Sequence, residues 1–80
     1  MTKDSLPTYA IVELLMRLAH FDPFIGDYKG HTTHTDGAIV KTTHGNIIFS
    51  KTLIRQQFEH PELVTDDELK QITLLFKPSK

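Results

Sequence analysis

The sequence predicts an α+β fold: one N-terminal helix, a two- or three-stranded antiparallel sheet built on a hairpin at 38–50, then two short C-terminal helices. Three observations carry this. Apolar residues recur at helical spacing from Tyr9 to Leu18, threonine- and isoleucine-rich runs surround two turn signals between 36 and 46, and Thr65 opens a capping-box pattern. The 80 residues read as one domain, 1–80, with 1–4 and 77–80 as frayed tails.

The first helix is expected from about Ser5 to Ala19 or His20, capped by Asp4 or Ser5, with Pro7 tolerated in its first turn. At 100° per residue, Glu13, Arg17 and His20 form one polar stripe. Glu13 precedes Arg17 by four, the favourable order for an ion pair. Almost everything else on this helix is apolar. So wide an arc needs cover on more than one side, from the rest of the domain or from a second copy.

Residues 21–30, "FDPFIGDYKG", break the helix through Asp22-Pro23 and two glycines, and Phe21, Phe24, Ile25 and Tyr28 are expected to dock on the core. "GHTTHTDG", residues 30–37, reads as an exposed edge strand or loop closing in an Asp36-Gly37 turn. Ile39 to Thr43 and Asn46 to Ser50 then form the hairpin around "HGN", 44–46, with 29–34 as a third, edge strand. Ser50 caps a helix through "KTLIRQQFE" that places Leu53, Ile54 and Phe58 on one face and stops at His60, before Pro61. Thr65 and Glu68 make the next capping box, and Val64 and Leu69 its hydrophobic staple. Beyond Leu69 two periodicities compete. Ile72 and Phe76 continue the helix, which is expected through Leu75, whereas Ile72, Leu74 and Phe76 alternate as in a strand that would follow a shorter helix.

Composition narrows the function. There is no cysteine, which excludes disulfides and thiolate-held metals. "MTKDSLP" is not a signal-peptide start, and the Tyr9–Leu18 run is too short and too charged to span a bilayer. The chain reads as soluble and cytoplasmic, with no membrane partner. No cofactor is implied.

His31 and His34 are the metal candidates. On a strand they point to opposite faces, and nothing else gives a strong ligand spacing, so the sequence assigns no metal. Catalysis is not indicated: the three serines lie at helix starts or in the tail, and a chain this short struggles to enclose the 300 Å³ or so typical of substrate sites. "HTT", residues 31–33, resembles the His-x-Thr motif of two-histidine phosphoesterases, but that chemistry needs a second, properly spaced copy.

Charge is unevenly placed. Between Asp36 and Glu59 no acid occurs, while Lys41, Lys51 and Arg55 do; from Glu59 to Glu68 there are acids at 59, 62, 66, 67 and 68 and no Lys or Arg. Lys41, Lys51, Arg55 and Gln56 are therefore the candidate binding residues, a basic hairpin–helix surface over 41–56. The expectation is a small non-enzymatic regulator or adaptor acting through protein contacts, with itself as a homodimer among its partners. The alternatives are a nucleic-acid-binding accessory protein using that basic surface and a loop-histidine metal binder.

Overall fold

The computed structural model describes residues 7–78. In chain order these are α1 (Thr8–Phe21), a 3-10 turn (Pro23–Ile25), β1 (Tyr28–His34), β2 (Gly37–Thr42), β3 (Gly45–Ser50), α2 (Lys51–Glu59), a second 3-10 turn (Pro61–Leu63), α3 (Asp66–Thr73) and β4 (Lys77–Pro78). The fold is α+β, with one antiparallel sheet in the order β1-β2-β3-β4.

Helix, hairpin and two further helices follow as expected, but the sheet has four strands. Lys77 and Pro78, placed by the sequence in a tail, pair with Asn46 and Gly45. An added Cβ on Gly45 would lie 2.3 Å from the Lys77 carbonyl oxygen, so this glycine serves the close approach of β4. The expected 1–4 tail and the Asp4 or Ser5 cap fall outside the described residues. At the other end of that expectation, Pro7 occupies the cap position of α1 in extended geometry without a side-chain hydrogen bond.

One face of the sheet is buried. Ala38, Val40 and Thr42 on β2 and Ile47 and Phe49 on β3 alternate inward, while Lys41, Asn46, Ile48 and Ser50 point out. Ala10, Ile11, Leu14, Leu15 and Leu18 of α1, Leu53 and Ile54 of α2, and Val64 and Leu69 flanking the start of α3 complete the core, with Phe49 its largest fully buried side chain. The apolar arc of α1 is thus mostly covered within the chain. Tyr9 and Met16 remain about two-thirds exposed.

The local signals act as read at both later helix starts. Ser50 Oγ accepts from the Leu53 N–H at 3.1 Å, and Thr65 Oγ1 from the Glu68 N–H at 3.2 Å. Several expectations need correction. Phe58 is 55% exposed, because the buried stripe of α2 runs through Leu53, Ile54 and Gln57 and leaves Phe58 at its margin. Phe24 is 79% exposed: the turn that buries Ile25 directs its neighbour outward.

α3 ends at Thr73, short of Leu75. The N–H groups of Leu74, Leu75 and Phe76 bond three residues back, to Gln71, Ile72 and Thr73, and Pro78 then favours extended backbone at Lys77. The first hairpin turns at Thr35–Asp36, and Gly37 (φ +153°) already belongs to β2, where a Cβ would meet the Phe49 carbonyl oxygen at 2.1 Å. The second turns at Thr43–His44, not at 44–46. Its anchor is Thr42, whose Oγ1 accepts from the N–H groups of His44 and Gly45 at 3.1 and 3.0 Å.

Candidate interaction edge of the sheet

β1 pairs with β2 from Tyr28↔Thr42 to His34↔Gly37, with a bulge between Tyr28 and Gly30 that gives Lys29 no partner of its own. A regular strand would send residues three apart to opposite faces. The bulge resets the alternation, so Tyr28 and His31, paired to the inward residues Thr42 and Val40, share the inner face. There the Tyr28 hydroxyl and His31 Nδ1 lie 2.6 Å apart. His34, paired to Gly37, lies on the outer side of the alternation. The two metal candidates therefore do not converge, and among the described residues no group of three His, Cys, Asp or Glu could hold an ion.

The two sides of the sheet end differently. β3 carries β4, a short strand that includes a proline, the residue natural sheets use to close an edge. β1 has no strand beyond it among the described residues. Its stretch from Thr32 to His34 is exposed, holds no proline and no formal charge, and ends in an exposed Thr35–Asp36 turn. Backbone groups alternate along an antiparallel strand: those of Gly30, Thr32 and His34 turn toward β2, and those of His31 and Thr33 face outward as unmatched donors and acceptors.

The residues selected by charge fall in different places. Lys41 lies on the outer sheet face, opposite Asn46. Lys51 and Arg55 are on α2, which packs against the inner face through Leu53 and Ile54. Lys41 is also four residues along β2 from Gly37, the partner of Ser50 where α2 begins, a separation of about 13 Å at strand rise. Gln56 turns to the second 3-10 turn, its amide 3.5 Å from the Leu63 carbonyl. The surface over 41–56 is thus divided by the sheet.

One polar junction escaped sequence reasoning. Arg17 donates to Gln57 Oε1 at 2.6 Å and to the Val64 carbonyl at 2.8 Å, and Gln57 in turn donates to Glu13 at 3.3 Å. The expected Glu13–Arg17 contact is so replaced by a bridge through a buried glutamine that ties α1 to α2 and to the entry of α3. Glu13 also accepts from the Tyr9 hydroxyl, and that hydrogen bond, with the carboxylate charge, holds the Tyr9 phenol above its ordinary pKa. Beside the junction an open cleft of about 410 Å³ is lined by Met16, Arg17, His20, Phe21 and Asp66. It is an open groove and not an enclosed pocket, and its guanidinium is already committed to Gln57 and Val64. No protein-family model, curated protein or solved structure matches this chain.

Proposed function

We propose that this protein is a small non-enzymatic regulator or adaptor that works through protein contacts, and that β1 is its contact surface. The observation behind this reading is the contrast between the sheet's two sides: β4 with Pro78 on one, and on the other the exposed, proline-free stretch Thr32–His34. An extended partner segment added to β1 gains main-chain hydrogen bonds without displacing any made within the chain, which is the economy of β-augmentation. The side chains along this stretch are short or neutral, so they neither repel nor obstruct a neighbouring strand.

The test is a titration of the protein with extended peptides of mixed sequence, and separately with generic duplex DNA at low ionic strength, while backbone amides are followed by NMR. Peptides should shift amides between Gly30 and His34 first. Salt-sensitive duplex binding through Lys51 and Arg55, with β1 silent to peptides, overturns this reading in favour of nucleic acid.

A further inference from the structure

Resting on the reading of β1 as the contact surface, we propose that its partner is β1 of a second copy, paired antiparallel about a two-fold axis through Thr32. In that register Gly30 faces the partner copy's position 34, His31 faces position 33, and Thr32 faces itself.

Four observations favour this occupant. The first is face parity. Opposite residues sum to an even number, so the inner faces of both sheets, with their helices, lie on the same side of one continuous sheet. The second is size matching. Each histidine meets a small residue, His34 the side-chain-free Gly30 and His31 a threonine, and the axis carries a Thr–Thr pair of the kind that stabilises antiparallel strands. The third is charge. Gly30 to Thr35 holds no formally charged residue, so no like charges meet across the paired stretch.

The fourth observation is clearance. α2 packs against β2 and β3, and Thr33, although paired to the buried Ala38 on the inner face, is exposed, so the helix layer stops short of the far half of β1. An open inner face at Thr33 leaves room beside the strand for the partner copy's position 31. The pairing is isologous and closes on itself, so it yields dimers and not chains. Because the contact is one strand edge, its affinity should lie between about 1 μM and 1 mM.

The experiment is sedimentation equilibrium of the whole chain from about 10 μM to 1 mM, joined to oxidation of single-cysteine variants in a chain that has no cysteine of its own. The mass should rise from monomer to dimer and stop there. It should stay monomeric in Thr32→Lys/Thr33→Lys and be unchanged in Met16→Lys on α1. Residues directly opposite across an antiparallel pair lie within the Cα separation a disulfide accepts. Thr32→Cys should therefore form a covalent dimer several-fold faster than Thr33→Cys or Thr43→Cys. Monomer throughout, growth beyond dimer, loss of the dimer in Met16→Lys, or a fastest rate at Thr33 or Thr43 overturns the proposal. A monomer whose β1 amides still respond to peptides would defeat the self-pairing alone; a monomer whose β1 is silent to peptides would defeat the reading it rests on.

Discussion

The Arg17 junction and the β1 edge treat polar groups in opposite ways. At the junction, a guanidinium, a buried amide and a carbonyl from three separate segments satisfy one another across more than 40 residues of sequence. At the edge, backbone groups of comparable strength face outward. An unmade hydrogen bond is cheap in water and costly when buried, so the junction carries stability, whereas the edge is free to carry recognition. A change in one region should therefore read out as unfolding, and a change in the other as lost association.

The sharpest way to break that contrast is through the inner face of the sheet. Phe49→Ala should cost about 3–5 kcal/mol in denaturant unfolding, since its side chain is fully buried in the core. Arg17→Met keeps the stem but strands Gln57 and the Val64 carbonyl, and should cost about 2 kcal/mol with association unaffected. Thr32→Lys/Thr33→Lys should shift stability by no more than about 0.5 kcal/mol, both sites being exposed. A large loss there would mean that β1 is part of the fold's support, and the contrast would fail.

The smallest effect concerns Tyr9. Its phenol is held above its ordinary pKa by Glu13, so the folded chain keeps that proton more tightly than the unfolded one. The associated stability is fully present below about pH 10 and is lost as pH rises through the raised value. Tyr9→Phe should accordingly flatten the alkaline decline of the melting temperature and leave neutral pH nearly unchanged. A steeper decline in the variant would contradict the assignment.

Local chemistry was legible in the sequence where its cause is local. Ser50, Thr65 and Pro61 fixed the limits of α2 and the start of α3, because a cap or a proline acts within a turn of itself. Long-range causes were not. Glu13 looked like the partner of Arg17 at four residues' distance, but the guanidinium found Gln57 forty residues away. Gly45 looked like a turn residue, yet its need is the approach of Lys77. Tyr28 and His31 share a face only because of the Lys29 bulge, which no period-two pattern announces. The candidate site was half legible: an exposed edge strand over 29–34 was expected, but the closure of the opposite side by β4, which makes β1 the distinctive edge, was not.

The most direct test of this account is amide hydrogen exchange, residue by residue, at about 10 μM and 1 mM protein. We expect protection to increase with concentration at His31 and Thr33, whose N–H groups face away from β2, and to stay constant along α1. Exchange that is independent of concentration at β1, or added protection around Tyr9 and Met16 instead, would contradict it.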